Sequence, residues 1–256
     1  MKSRKEIVAN WLPRYTGVPL NKFGDYILLT NFDRYVNLFA QWHRVPIMGR
    51  DKPMPSATAG EITIINFGMG SATAATVMDL LSAIKPKAVL FLGKCGGVKH
   101  RAEIGDLILP IAAVRGEGAS NDYFPPEVPA LPSFALQKAI STTIRDHKRD
   151  YWTGTIYTTN RRVWEHDIDF KKYLKKIRAI AVDMETATIF ITGFANEIST
   201  GALLLVSDEP MTPEGVKTAE SDRTVDKKHV SMHLRIGIDS LKQLINNGLT
   251  VKHLKF

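Results

Sequence analysis

Short apolar runs alternate along this chain with longer stretches in which apolar residues recur every three or four positions. The short runs fall at residues 26–30, 61–67, 88–93, 106–114, 152–158, 178–182 and 202–207. Two of them, Val89-Leu90-Phe91-Leu92 and Leu203-Leu204-Leu205-Val206, are apolar without interruption. Unbroken runs suit strands covered on both faces, as in a parallel sheet flanked by helices.

The longer stretches predict helices. Ser71 can cap one that runs to Ile84, where Lys85-Pro86 ends it. Pro132-Ser133 opens another that continues to about Arg145. A third begins near Met184 and places Met184, Ala187, Ile191 and Phe194 on one face. The last covers about 225–245, with Val230, Leu234, Ile238, Leu241 and Ile245 as its stripe and Asp222 or Ser221 as its cap. Lys171-Lys172 and Lys175-Lys176 read as the solvated face of a further short helix. Alternating strands and helices predict an α/β fold, a three-layer α/β/α sandwich around a central mixed, twisted sheet. With no repeat and no linker in sight, residues 1–256 are expected to form a single catalytic domain.

Composition narrows the function classes. A net charge of +8 favours anionic partners, but the positive residues are scattered, and no basic aromatic platform for nucleic acid appears. No apolar run reaches the ~20 residues of a membrane span. The start of the chain leads into no apolar signal segment, and Cys95 is the only cysteine. A reduced, cytoplasmic protein without nucleic-acid or membrane partners is expected. Cys95 itself reads as a small buried residue rather than a nucleophile.

In such folds, sites gather beyond the carboxyl ends of the strands. Gly68-Met69-Gly70-Ser71 follows one strand and opens a helix, so Gly70 could bring the backbone close to an anion. Lys94 follows the next strand and supplies a cation; Arg115 opens the polar loop after the fourth. Thr159-Asn160-Arg161-Arg162-Val163-Trp164 joins guanidinium and indole planes that can sandwich a base. Asp183-Met184-Glu185 offers carboxylates for a vicinal diol and a thioether for a sugar face. Ser207-Asp208 ends the last strand, where a carboxyl of raised pKa can act as a general acid.

Taken together, Gly68-Met69-Gly70, Gly93-x-Cys95-Gly96, Asp183-Met184-Glu185 and Ser207-Asp208 resemble the nucleoside phosphorylase type I family. That family includes purine nucleoside phosphorylases, uridine phosphorylases, methylthioadenosine nucleosidases and AMP nucleosidases. Residues 68–83, 92–97, 115–123, 151–166 and 182–190 look most like the AMP nucleosidase branch. The resemblance implies hydrolysis of AMP to adenine and ribose 5-phosphate in a homo-oligomer, usually a hexamer, without a metal or organic cofactor. It implies that Asp208 serves purine N7, Glu185 holds the ribose hydroxyls, Met184 lies beneath the sugar and Arg34 binds phosphate. Lys94, Arg115 and Arg161 are further candidates for the 5′-phosphate, and Arg44 of a neighbouring subunit is another. Trp164, with Arg161 and Arg162, would wall the base. Gly70 and Ser207 complete the candidate substrate contacts, and Glu117 is a candidate to orient the attacking water.

Two departures bear on the nucleophile. Purine phosphorylases of this family carry an Arg and a Ser where this chain has Phe91 and Lys94, which weakens phosphorolysis; the retained Lys leaves phosphate open as a further ligand. Long AMP nucleosidases carry an extra N-terminal domain, and the few residues before the first strand here suggest a short form. The competing expectations are a phosphorylase or nucleosidase acting on an unphosphorylated nucleoside, and a nucleotide-binding module without catalysis.

Overall fold

The computed structural model of the protein describes residues 2–98 and 102–247. Among the described residues, eight strands form one mixed sheet: β1 Tyr26–Thr30, β2 Ser56–Ala59, β3 Ile62–Asn66, β4 Ala88–Gly97, β5 Leu107–Gly116, β6 Trp152–Thr159, β7 Ala181–Asp183 and β8 Thr200–Asp208. Their order is β2-β3-β1-β4-β7-β6-β5-β8, and β8 also pairs along β4. The strands β4, β7, β6, β5 and β8 therefore close into a ring, beside which β1, β3 and β2 form an open wing. Closure brings the carboxyl ends of β4, β6, β7 and β8 together.

The helices are α1 Arg4–Thr16, α2 Asp33–His43, α3 Ser71–Leu81, α4 Phe134–Asp146, α5 Ile168–Lys176, α6 Thr186–Ala195, α7 Ala219–Lys228 and α8 Val230–Asn247. Alternation along the strands sorts the core into two layers, because successive side chains point to opposite faces. Ile27, Phe91 and Leu204 pack with Leu12 of α1, Val77 of α3 and Ile189 of α6. Their neighbours Leu28, Leu90 and Leu203 pack with Phe39 of α2, Ile140 of α4 and Leu234 of α8. This is the expected three-layer sandwich. Val89, Leu90, Phe91 and Leu92 are all fully buried, and each such side chain contributes about 1.5–3 kcal/mol of transfer free energy.

Several boundaries differ from the sequence expectation. Strand β4 does not stop at Gly93: Lys94 and Cys95 still pair with β8, and Gly96-Gly97 pair antiparallel with β7. Lys94 is thus part of the sheet. Ser71 is the first residue of α3 rather than its cap; Gly70 occupies the cap, and the Ser71 hydroxyl donates to the Met184 carbonyl at 2.6 Å. The C-terminal helix breaks at His229 into α7 and α8, and Thr218 caps α7 reciprocally with Ser221. Phe194 is half-exposed rather than on the buried face, with its ring 5.2 Å from that of Phe124. Helix α1 carries Pro13 and buries only Val8, Leu12 and Thr16, so its periodic signal is weak. Strand β2, Ser-Ala-Thr-Ala, has no apolar run and exists by pairing with β3.

Candidate active site

One cavity opens where the ring's strand ends meet. Asp183 and Met184-Glu185 after β7, Ser207-Asp208 at the end of β8, and Lys94 of β4 all line it. The carboxylate at each strand end is held differently, and the difference sets its chemistry.

Asp183 is buried and saturated. Its Oδ1 accepts from the Thr158 hydroxyl at 2.7 Å, and Oδ2 accepts from Thr186 N at 2.8 Å, Glu185 N at 3.2 Å and the Thr186 hydroxyl. Burial pushes its pKa up, against the pull of these donors. The group anchors the start of α6 and keeps its neighbour in place.

Glu185 is the reactive-looking member of the pair. Gly70 N donates to its Oε1 at 2.7 Å, and Met184 N donates to Oε2 at 3.3 Å. Its carboxyl is pushed well above the usual range by burial first and by the Asp183 charge second, while bonds from Gly70, Met184 and the Asn31 side chain oppose the rise. Two hydroxyl donors from a sugar would supply what this carboxylate lacks. Gly70, at φ 95, can present its N–H this way because it has no Cβ. The Gly70 N–H is thus committed to the protein's own carboxylate.

Asp208 faces the same cavity. The Ser207 hydroxyl donates to its Oδ1 at 2.6 Å and also reaches the Cys95 carbonyl at 3.3 Å. Burial raises its pKa; the Ser207 bond and the charges of Lys217 and Arg162 oppose this, and Glu165 adds to it. A carboxyl with one fixed oxygen and a raised pKa is equipped to donate a proton. Trp164, buried against Phe170 with ring centroids 5.2 Å apart, lines this end with Arg162 and Glu165.

The remaining candidates are placed elsewhere. Arg115 spends its guanidinium on its own loop: it donates to Ser120 Oγ, Asn121 Oδ1 and the carbonyls of Phe124, Pro125 and Val128. No donor is left to seek a phosphate. Arg161 pairs with Asp167 at 2.7 Å and lies over the Phe170 ring, outside the cavity lining. Arg34 is exposed on α2, two residues beyond the cavity-lining Phe32. Glu117 is buried and occupied by Thr188, Ser120 and Gly118 donors, so it is no base for a cavity water. Cys95 is buried, and burial pushes its thiol up, in keeping with a packing role. Lys94 lines the cavity, but Asp222 and Asp226 hold its ammonium.

Sequence reasoning missed Asn31, Phe32, Glu165, Lys217 and Asp222 as lining residues. The acids at 222 and 226 stand four apart on one helical face, which is a legible signal; their partner in β4 is not legible.

Comparisons with known proteins give the family and the fold. Residues 32–240 match the family model described as the phosphorylase superfamily. The AMP nucleosidase of Escherichia coli (strain K12) is 30% identical over 284 residues, covering 93% of this chain and 58% of that protein. The chain thus spans little more than half the length of that curated relative. The crystal structure of AMP nucleosidase from Bacteroides thetaiotaomicron VPI-5482 superposes with a TM-score of 0.87 at 54% identity, covering 96% of this chain and 99% of that one. A uridine phosphorylase from Vibrio fischeri ES114 shares the fold, with a TM-score of 0.77 at 22% identity over 88% of this chain and 95% of that one.

Proposed function

The chain belongs to the phosphorylase superfamily, and on that premise we propose that it hydrolyses the N-glycosidic bond of AMP, giving adenine and ribose 5-phosphate. One observation carries the reading: Asp208 and Glu185 line the same cavity, with Met184 beside them. The resemblance to AMP nucleosidases, at 54% identity to one over almost all of both chains, supports the choice of AMP.

In this mechanism, Asp208 gives its proton to purine N7 as the C1′–N9 bond breaks and the bond's electron pair leaves with the base. General acid help of this kind supplies roughly 10²–10⁴-fold. Glu185 accepts the ribose hydroxyls and, ionised, opposes the positive charge that grows on the sugar. Met184 packs beneath the ring and Trp164 beside the base. Water adds to C1′ and releases its proton to solvent. Ser207 keeps one Asp208 oxygen occupied, so the other is aimed at the base.

The 5′-phosphate is the most strongly hydrated part of AMP and is assigned to the mouth of the cavity. Arg162 stands at the Asp208 end with Trp164 and so belongs to the base, and the exposed Arg34 of α2, just beyond the cavity-lining Phe32, is the candidate for the phosphate. Arginine suits the task because its planar fork meets phosphate in two places.

The same proposal takes residues 1–256 as one catalytic domain, cytoplasmic and assembled as a homo-oligomer. Among the described residues, no helix is long and apolar enough to cross a membrane. Measuring kcat/KM for AMP against adenosine tests the substrate. A preference for AMP of at least tenfold is expected; equal values, or a preference for adenosine, would remove the 5′-phosphate from recognition.

A further inference from the structure

Lys94 is a charged residue inside the sheet. It pairs in register with Leu205 of β8, and its side chain is only 2% exposed. Its Nζ donates to Asp222 Oδ1 at 2.8 Å and Asp226 Oδ1 at 2.7 Å, and lies 4.3 Å from the centroid of the Phe32 ring. Both acids come from one face of α7. Asp222 itself lines the cavity and also pairs with Lys217 at 3.2 Å.

An ammonium this deep, if left without partners, would be a strong anion site at the wall of the cavity. Here two carboxylates already fill it and, with Lys217 also on Asp222, the four charges cancel, so no net positive charge is left to draw an anion. Burial raises the Asp222 pKa, but Lys94 and Lys217 overcome this and hold the group below its usual value. Inorganic phosphate could reach Lys94 only by standing beside ionised carboxylates or displacing them, whereas water meets no such barrier.

The superfamily contains both phosphorylases and nucleosidases, so some feature of each site must decide the nucleophile. We propose that Asp222 and Asp226 are built-in counter-ions of Lys94 that keep inorganic phosphate out of the cavity and leave water to attack C1′. The proposal rests on the cleavage reading above and adds a residue pair that selects the co-substrate. With water, the new O–C1′ bond gives ribose 5-phosphate. With phosphate, a phosphate oxygen would form that bond and give ribose 1,5-bisphosphate, with adenine leaving in both cases.

The test compares the wild type with Asp222→Asn/Asp226→Asn, which keeps shape and removes both charges. Isothermal titration with inorganic phosphate, without nucleotide, is expected to show binding at least about tenfold tighter in the double variant, as removal of like charges beside an anion implies. With AMP and phosphate together, ³¹P NMR is expected to show inhibition of hydrolysis or the appearance of ribose 1,5-bisphosphate in the variant only. Adding Lys94→Met should abolish the gain. A folded double variant that binds phosphate no better than wild type overturns the proposal, as does a gain that survives Lys94→Met. So does a wild type that itself makes ribose 1,5-bisphosphate. Should the double variant not fold, Asp226→Asn alone is expected to give a smaller gain, and no gain counts against the proposal. Because the titration needs no turnover, a protein that fails to cleave AMP but gains phosphate binding would sink the cleavage reading alone.

Discussion

Replacing Asp208 by Asn separates proton donation from shape. The amide oxygen can still accept the Ser207 hydroxyl, now 2.6 Å from Oδ1, so the side chain should keep its place. What disappears is the transferable proton. An unperturbed Asp, with a pKa near ~3.9, carries a proton at neutral pH in only about one molecule in a thousand. Burial at the end of β8 raises that fraction, and each unit of upward shift multiplies it tenfold until it approaches one half. Loss of general acid help of about 10²–10⁴-fold corresponds to about 2.7–5.5 kcal/mol of barrier. Turnover is therefore expected to fall at least a hundredfold, while the Kd for AMP, measured by isothermal titration, stays within a few-fold. Adenine release followed by chromatography gives kcat. A variant with undiminished kcat would remove Asp208 from the bond-breaking step; one that loses AMP binding instead would make it a binding group.

Other outcomes follow from the same geometry. The pH profile of kcat/KM should be bell-shaped with both limbs above the ordinary carboxylate range, since burial raises Glu185 and Asp208 alike. Falling pH protonates Glu185 and removes the anion beneath the forming cation; rising pH ionises Asp208 and removes the donor. Glu185→Gln should erase the acid limb, and a profile flat through the neutral range would contradict the assignment. Arg34→Ala should raise KM for AMP about tenfold or more with a smaller change in kcat, the pattern of lost ground-state binding; an unchanged KM would place the phosphate elsewhere. Arg115→Ala should act on stability, because several loop carbonyls lose their donor. A loss of about 1–3 kcal/mol is expected, seen as a lower Tm by scanning calorimetry; a raised KM at unchanged Tm would return Arg115 to the substrate.

The strands were legible because burial on both faces leaves an apolar run with little ambiguity. Strand β1 begins and ends where the hydrophobic pattern does, at Tyr26 and Thr30. The extension of β4 through Lys94 to Gly97 was not legible. A lysine and paired glycines look like a loop until a partner strand and two aspartates from α7 are in place. The break at His229 was hidden for a related reason: the apolar stripe of α8 continues backward to Val225, which is also buried.

The site shows the same division. The acids at the ends of β7 and β8 stood out because residues at the carboxyl ends of strands in an α/β fold face the ligand side. Arg115 and Arg161 stood out for their charge, yet each is consumed by neighbours that only the folded loops supply. Counting cations along a chain overestimates those free to meet a ligand, since pairing depends on distant residues such as Asp167 or Asp222.

Mixing the purified protein with AMP in phosphate-free buffer, and weighing the products by mass spectrometry, probes the central claim with the fewest assumptions. Equimolar adenine and ribose 5-phosphate are expected, with their formation suppressed in Asp208→Asn and Glu185→Gln. Intact AMP after prolonged incubation with folded, correctly assembled protein would contradict it.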